Sequence, residues 1–340
     1  MVLHPLSVTG AALEVTNDEG ATERTEFPKL ISPGQVAFDI SKLHYCVGGV
    51  ETEIVFDGDV FEMEDQRNWS DGSFKTYCRP LARPAPYHLK AGKNVRQHVA
   101  VAFRGGPPAS AAAPQSQALK IGDAGERMPA IALAIDSGSA PAAEDMARIR
   151  MLRPPVLQLR VRPDDCVSVF GSAADLALGD IEIDLEAVLP STSSIDESLA
   201  AIADAAARLG IPVARVLALP EPYLRNYQPW GPWPEGPSPS AAAIAARKAF
   251  PGADIGVGML TNFVELNRCR PPPDLGDYVS HSSTAVFHAA EDQSVVQTLE
   301  GLGHIFESGR AIAGSRQYRL GLVSIGMRTN THGDAVASNP

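Results

Sequence analysis

Two polar residues that follow an apolar run in the second half of the sequence have side chains suited to hydrolysis. Glu265 and Asn267 come after the run 255–260 and lie two residues apart. On an extended stretch both side chains would face the same side, where the carboxylate could activate water and the amide could orient a hydroxyl. The alternative is that Glu265 only pairs with Arg268 or Arg270 on a loop. The residues alone favour this alternative.

A second candidate, His288, follows the apolar stretch 278–286 and precedes a helical pattern. An imidazole that titrates near neutrality could act there as a general base or as a donor to an oxyanion. Asp292 stands just before the helical pattern that starts at Gln293, which is typical of an N-cap residue. We therefore predict that His288 is catalytic, keep Glu265 as a candidate, and leave Asp292 out of the catalytic set.

The run from Phe61 to Tyr77 is dense in hydrogen-bonding groups around a single indole ring. This composition suits sugar recognition, since an aromatic ring stacks on a sugar and carboxylates or amides bind its hydroxyls. Either Arg67 or Lys75 could also supply the positive charge that stabilises a tetrahedral oxyanion adduct. Alternatively, ion pairs of this run hold its domain against the next one, and both interpretations can apply together. The binding residues predicted here are Glu62, Asp65, Arg67, Asn68, Trp69, Lys75 and Tyr77.

The elements that must position these residues differ between the two halves of the chain. The first 104 residues contain short β-type runs separated by turns, which predicts a partial antiparallel β-sandwich domain. The stretch 105–127 is small, contains proline and is aperiodic, as expected of a linker. The β-type runs are 13–16, 36–40, 53–56 and 98–103.

From residue 128 to 340, apolar strands alternate with helical segments, which favours an α/β fold of the (β/α)-barrel or TIM-like type. The clearest helices are 195–209, with a capping box at Ser194 and Glu197, and 293–313. An eight-stranded barrel would need one more βα unit, because the residues after Arg328 are typical of a loop. The seven predicted strands are 130–135, 156–161, 181–189, 213–219, 255–260, 278–286 and 318–325.

Side chains at the carboxyl ends of barrel strands point into the active site of such a fold. This position adds Glu221, His281 and Arg328 to Asn267 as predicted substrate-binding residues. The loop 226–233, with its tyrosine and two tryptophans, is either an aromatic wall of the site or a packed surface loop.

Composition excludes several classes of protein. The net charge of -11 opposes binding to nucleic acid or to an anionic membrane surface. The four cysteines are far apart and no leader or long apolar segment is present, so we expect a cytoplasmic protein without a membrane span. We expect no metal or other cofactor, since the motifs of zincins, P-loop enzymes and serine hydrolases do not occur. The oligomeric state is not predicted.

The segment 61–77, FEMEDQRNWSDGSFKTY, resembles a signature of the D-apionate lactonase family, which ring-opens apionolactone in apiose catabolism. The segments 2–6, 24–33, 263–268 and 288–292 are also similar to that family. The resemblance implies a carbohydrate lactone as the small-molecule substrate, catalysis by Glu265, and a chain shorter than other members at both ends. The sequence departs from the family at Gly72 and at 285–287.

Two other functions stay open. A barrel glycoside hydrolase needs two carboxylates across the glycosidic bond, and Glu221 with Glu265 could serve. Against it, the stretch 318–330 contains no Asp or Glu. The second possibility is a non-catalytic fragment that retains sugar binding, for which the missing eighth strand is the evidence.

Overall fold

The structure is a computed structural model that describes residues 1–84, 86–106, 122, 125, 128–136, 142–176 and 179–333. The chain divides into two compact units. One comprises Met1–Glu126 with Gln297–Ile305, and the other comprises Arg127–Val296 with Phe306–Pro340. The predicted linker 105–127 lies mostly outside the described residues, so that domain boundary stays a prediction.

The first unit, called the β-domain below, contains one antiparallel sheet of eight strands. The main path through the sheet is β1-β7-β6-β4-β2-β3, and β5 pairs with both β4 and β8. Long apolar side chains such as Leu13, Ile40 and Leu43 are fully buried against it. The bounds are β1 Val2–Pro5, β2 Ala12–Asn17, β3 Thr22–Glu26, β4 Ala37–Val47, β5 Val50–Asp57, β6 Phe61–Asp65, β7 Ser73–Tyr77 and β8 His98–Gly105.

The four predicted β-type runs of this half lie within or overlap β2, β4, β5 and β8. The polar run 61–77 supplies two more strands, β6 and β7, joined by a short 3-10 helix at Gln66–Trp69. Ser70, in the left-handed conformation with φ 67°, ends that helix. The run therefore forms a hairpin inside the sheet, and the side chains on its inner face must be paired or apolar.

The second unit, called the barrel unit, contains a parallel sheet of seven strands in the order β15-β14-β13-β12-β11-β10-β9. This arrangement confirms the predicted α/β class and its seven strands. The strands β9 and β15 are the two ends of this order within the described residues. The bounds are β9 Ala132–Ile135, β10 Val156–Val161, β11 Glu182–Leu189, β12 Val213–Pro220, β13 Asp254–Asn262, β14 Tyr278–Thr284 and β15 Gln317–Ser324.

Six helices are described in this half of the chain. The capping box predicted for α3 is present, since Ser194 Oγ accepts from the Glu197 N–H at 3.2 Å and Glu197 Oε2 accepts from the Ser194 N–H at 3.2 Å. The bounds are α1 Ala143–Leu152, α2 Cys166–Ala174, α3 Ile195–Arg208, α4 Pro239–Ala249, α5 Phe263–Arg268 and α6 Asp292–Ala313.

The start of α6 differs from the prediction by one residue. Glu291, not Asp292, occupies the N-cap position, and Asp292 is the first helical residue. The Ser294 hydroxyl donates to Glu291 Oε1 at 2.5 Å, which places this carboxylate at the first turn. Within the described part of the chain, no helix is both long and apolar enough to cross a membrane.

Candidate functional site

The interior of the barrel unit carries charged side chains that arise from alternate positions of its strands. Glu186 of β11 lies between two arginines: Arg160 Nε donates to its Oε2 at 2.8 Å, and Arg328 Nη1 donates to the same oxygen at 2.7 Å. Arg328 also forms an ion pair with Asp136. Burial lowers the pKa of Arg160, and the nearby charge of Arg328 lowers it further, while Glu186 opposes the shift. This group, called the Glu186 cluster below, brings together residues from four separate parts of the barrel unit.

A second group of the same kind lies nearer the amino ends of the strands. Asp184 accepts from Arg215 Nη1 at 2.7 Å and from Arg319 Nη2 at 2.9 Å, and Arg215 also reaches Glu182 at 2.5 Å. Each carboxylate is thus compensated by at least one guanidinium, as burial of charge requires. The interior of the barrel unit therefore contains two layers of ion pairs, one around Glu186 and one around Asp184.

The sequence carries a signal for these residues in the alternation of two strands. In β10 and β11 the polar side chains recur every second residue among apolar ones, which in a strand places them on one face. Arg160 and Glu186 are paired residues of adjacent strands. We predicted Arg328 as a site residue but missed both of these.

Glu265 is the most chemically unusual carboxylate of the barrel unit. It is the third residue of α5, where its Oε2 accepts from the Asn262 N–H at 2.9 Å and completes a capping box. Its Oε1 is buried without a hydrogen-bond partner in the described residues, as is the adjacent Thr261 Oγ1. Burial raises the pKa of Glu265 to about 7, and the N–H of Asn262 offsets part of that shift. The carboxyl group can therefore be protonated or ionised near neutral pH.

The prediction that Glu265 and Asn267 lie on an extended stretch is wrong, because residues 263–268 are helical. Two residues apart on a helix, their side chains point in nearly opposite directions. The Asn267 side chain is buried and accepts from Arg270 Nη2 at 2.6 Å. The sequence did hold the signal for this helix, since Asn262-x-x-Glu265 fits a capping box.

A narrow cleft lies at the carboxyl ends of the barrel strands. Its free volume is about 10 Å³, which is room for about one water molecule. Thr261, the neighbour of the Glu265 carboxyl, and Arg328 of the Glu186 cluster both contribute to its wall. The lining residues are Leu260, Thr261, Asn262, Ser282, Ser283, Thr284, Leu322, Ser324, Arg328 and Thr329.

The segment 329–333 lies across this end of the barrel. Arg160 Nη1 donates to Thr329 Oγ1 at 3.2 Å, and the Asn226 N–H donates to the Thr331 carbonyl at 3.0 Å. Thr331 is buried as a result, with 3% of its surface exposed. Thr329, at the start of this segment, lines the cleft.

His288, the second predicted catalytic residue, lies exposed in the loop between β14 and α6. Its charge and that of Arg268 help to lower the pKa of His332, although burial of that ring is the larger cause. Arg268 donates to Asn226 Oδ1 at 2.6 Å. His288 thus lies near two other basic side chains, His332 and Arg268. It is exposed, whereas Glu265, the other predicted catalytic residue, is buried.

Two other predicted binding residues have their polar groups bound within the protein. The His281 ring is fully buried, with Nδ1 donating to the Ser282 carbonyl and Nε2 accepting from the Tyr318 hydroxyl, both at 2.7 Å. Burial lowers its pKa to about 4, so the ring is neutral and has no free nitrogen for a substrate. Glu221 is more exposed and forms an ion pair with Arg162 at 2.7 Å.

The predicted binding residues of the β-domain form a buried polar network. Arg67 is completely buried: Nε and Nη2 bind both oxygens of Asp65 at 2.8 and 2.7 Å, and the carbonyls of Pro28 and Lys29 accept from Nη2 and Nη1. Nη1 also lies 3.3 Å from His304 Nδ1. With these donors engaged inside its own unit and no exposed surface, Arg67 has a structural role and is not placed to contact a substrate. The alternative, that ion pairs of the run hold its domain against the next one, stays a prediction.

The remaining residues of the run are held in the same way. Glu62 is buried and accepts from the Tyr77 hydroxyl at 2.5 Å and from the Leu81 N–H at 2.9 Å. Asn68 Nδ2 donates to the Ser32 carbonyl at 2.6 Å, and Lys75 forms an ion pair with Glu64. Trp69 is 9% exposed. These contacts explain the density of polar groups in the run by the needs of a buried hairpin.

No group of three or more His, Cys, Asp or Glu side chains within the described ranges is arranged to hold a metal ion. All four cysteines are free thiols in the structure.

The buried carboxyl of Glu265 has a consequence for stability. Its pKa of about 7 in the folded protein lies above the ordinary 4.5, so the folded state holds the proton more tightly. The resulting stabilisation is complete below pH 4.5 and is lost as the pH rises through 7. Between pH 4.5 and 8 this group should lower the free energy of unfolding of the wild type by about 3 kcal/mol. Glu265→Gln has no titrating group at this position, so its free energy of unfolding should not show this part of the fall.

Urea unfolding of both proteins at several pH values measures this difference. Glu197→Gln is the matched control, because Glu197 occupies the same capping-box position in α3 but is fully exposed. A parallel pH dependence for wild type and Glu265→Gln would contradict the expectation.

Taken together, the chain is a protein with an antiparallel β-domain followed by a parallel α/β barrel whose charged interior opens at the carboxyl ends of the strands. The family models for the D-apionate lactonase N-terminal domain and for the D-apionate lactonase TIM barrel domain match residues 1–106 and 131–340. The chain belongs to the D-apionate lactonase family.

Two individual proteins are similar to the chain. A D-apionate lactonase of Brucella anthropi is 36% identical over 356 residues, in a match that covers 100% of this chain and 57% of that protein. The chain thus spans little more than half the length of this curated relative. A D-allulose 3-epimerase from Methylomonas sp., whose crystal structure contains D-allulose, has a TM-score of 0.31 and 12% identity over 58% of this chain and 83% of that chain. A score this low supports no inference.

Proposed function

We propose that this chain hydrolyses a sugar lactone to the corresponding hydroxy acid, with a branched aldonolactone as the substrate class. The observation that carries the proposal is the buried carboxyl of Glu265, which accepts from the N–H of Asn262, a lining residue of the cleft at the barrel mouth. Burial brings its pKa to about 7. Membership of the D-apionate lactonase family supports the reaction class.

In the proposed reaction, ionised Glu265 accepts a proton from a water molecule as the water oxygen attacks the lactone carbonyl carbon. A general base is most effective when its pKa lies near the working pH, and the value for Glu265 meets this condition. The tetrahedral adduct then collapses, the ring C–O bond breaks, and the released alkoxide oxygen takes up the proton. One water is consumed and one hydroxy acid is formed.

The positive charge needed for the oxyanion of the adduct would come from Arg328, which lines the cleft, with Arg160 behind it. Serine and threonine hydroxyls on β13 and β14 line the same cleft and could bind the substrate's hydroxyls. A lactone ring is larger than a cleft of about 10 Å³, so substrate binding would require Thr329, which lines the cleft and accepts from Arg160, to move away.

His288 and Asn267 have smaller roles in this proposal. His288 is exposed on the same face of the barrel and stays a candidate for proton transfer to the leaving oxygen. Asn267 supports α5 and Arg270 from within the fold. The buried residues of the β-domain run contribute to the stability of the hairpin.

Hydrolysis of a panel of aldonolactones, followed as acid release, tests the proposal. We expect kcat/KM to rise with pH and to reach half its maximum near pH 7, because Glu265 must be ionised to accept the proton. A flat profile across this range would exclude Glu265 as the base. Turnover of aryl glycosides instead of lactones would favour the glycosidase alternative, and absence of both activities would favour a non-catalytic protein.

A further inference from the structure

A pocket of about 230 Å³ lies between strand β13, the start of α4 and the loop that follows α5. None of its lining residues lines the cleft at the barrel mouth or belongs to the Glu186 cluster. Its volume is below the roughly 300–1,000 Å³ typical of sites for drug-sized ligands, so it suits a small metabolite. The residues that line the pocket indicate the chemical class of this ligand.

Arg270 supplies a positive charge to the pocket. Its Nε and Nη2 donate to Asn267 Oδ1 at 3.2 and 2.6 Å, and Nε also donates to the Asn267 carbonyl at 3.1 Å. Since Asn267 is almost completely buried, these bonds fix the plane of the guanidinium.

Arg270 also differs from the ion-paired arginines of the barrel unit. No acidic residue pairs with it in the described part of the chain, and burial lowers its pKa without a carboxylate to oppose the shift. A fixed guanidinium without a counter-ion is suited to bind a carboxylate in a bidentate manner. Arginines of the barrel unit that do have a carboxylate partner include Arg148, Arg160, Arg162, Arg215, Arg247, Arg319 and Arg328.

An aromatic wall faces the same pocket. The rings of Tyr223 and Trp233 are stacked, with centroids 6.4 Å apart and planes 13° from parallel, and Tyr227 packs 5.9 Å from Trp233. Trp233 remains 37% exposed despite these contacts. A partly exposed indole beside an apolar wall suits the C–H face of a carbohydrate chain or ring.

Hydroxyl groups complete the lining. Ser238 caps α4 by accepting from the Ala241 N–H at 3.2 Å, which leaves its own proton available to donate. Ser240 and the Tyr223 hydroxyl have no hydrogen-bond partner within the ranges that the structure describes. These three groups can therefore bind hydroxyls of a ligand.

We propose that this pocket, formed around Arg270 and Trp233, is a second binding site of the protein and takes a small sugar acid. The carboxylate of the ligand pairs with Arg270, its C–H face packs on Trp233, and its hydroxyls bind Ser238 and Ser240. The site is separate from the barrel mouth, and its existence does not depend on the proposed hydrolysis.

Calorimetric titration of the 340-residue chain with ribonate and with ribitol tests this proposal. The two probes have the same carbon chain, but only ribonate has a carboxylate. We expect ribonate to bind in the millimolar range or tighter and ribitol at least about tenfold more weakly, because a charge-assisted hydrogen bond is lost. Quenching of tryptophan fluorescence by ribonate would report on contact with Trp233.

Arg270→Gln should weaken ribonate binding roughly tenfold or more. Trp233→Ala should weaken the binding of both ribonate and ribitol. Arg148→Gln, at an exposed position on α1, is the matched control and should bind ribonate like wild type. Absence of ribonate binding at about 10 mM would overturn the proposal. So would ribonate binding that neither Arg270→Gln nor Trp233→Ala alters, since the ligand would then occupy another site.

Discussion

Replacement of Glu265 by glutamine is expected to lower kcat for lactone hydrolysis by roughly 10²–10⁴-fold, the usual contribution of a general base. Glutamine has nearly the same shape and can still accept from the Asn262 N–H, because capping boxes use Glu or Gln at this position. The substitution therefore removes the ability to accept a proton and keeps the start of α5. KM should change much less than kcat, since Glu265 acts on water.

The control for this experiment is again Glu197→Gln, which makes the same chemical change in the capping box of an exposed helix terminus. It should hydrolyse lactone at the wild-type rate. If Glu265→Gln also kept the wild-type rate while both variants unfolded like wild type, Glu265 would have no part in the reaction. The proposed sugar-acid pocket around Arg270 would not be affected by that result.

The second large effect concerns the β-domain. We expect Arg67→Met to reduce the free energy of unfolding by about 3–5 kcal/mol, because it leaves the Asp65 carboxylate buried without its cation. Among the described residues, the Asp65 carboxylate would retain the backbone N–H groups of Ser32 and of position 67, at 3.0 and 3.3 Å. The packing of the guanidinium over the Phe74 ring, 4.6 Å from its centroid, is lost as well.

Arg24→Met is the matched control for Arg67→Met. Arg24 also pairs with a carboxylate of the β-domain, Glu14, at 2.8 Å, but its side chain is 86% exposed. A surface ion pair contributes at most about 1 kcal/mol, so this variant should unfold almost like wild type in urea. Equal effects of the two substitutions would show that burial of Arg67 does not determine its contribution.

A double variant, Arg67→Met with Asp65→Asn, separates loss of the pair from exposure of an unpaired charge. Removal of both charges should recover part of the stability lost in Arg67→Met, because no uncompensated ion remains in the interior. If the loss of stability in the double variant equalled the sum of the losses in Arg67→Met and Asp65→Asn alone, the interaction between the two side chains would be negligible.

Local features were predicted well from the sequence because they depend on neighbours in the chain. The bounds of β10 at Val156–Val161 match the apolar run, and the capping box of α3 follows from Ser194 and Glu197. The helix α5 was missed for a comparable reason: its capping signal was present, but the run 263–268 is only six residues long. Short helices carry too little periodicity to stand out from a loop.

The sequence by itself determined the class of the fold, the alternation of strands and helices, and the identity of Glu265 as a candidate. Only the tertiary structure decided what the charged residues do. Glu186 meets Arg328 across 142 positions of the chain, and no local pattern encodes such a contact. In the same way, Glu265 has a pKa near neutrality, and Arg67 is unavailable to a ligand, because folding removes both from water. Burial and long-range pairing are properties of the packed chain, so they appear only when all the elements are in place.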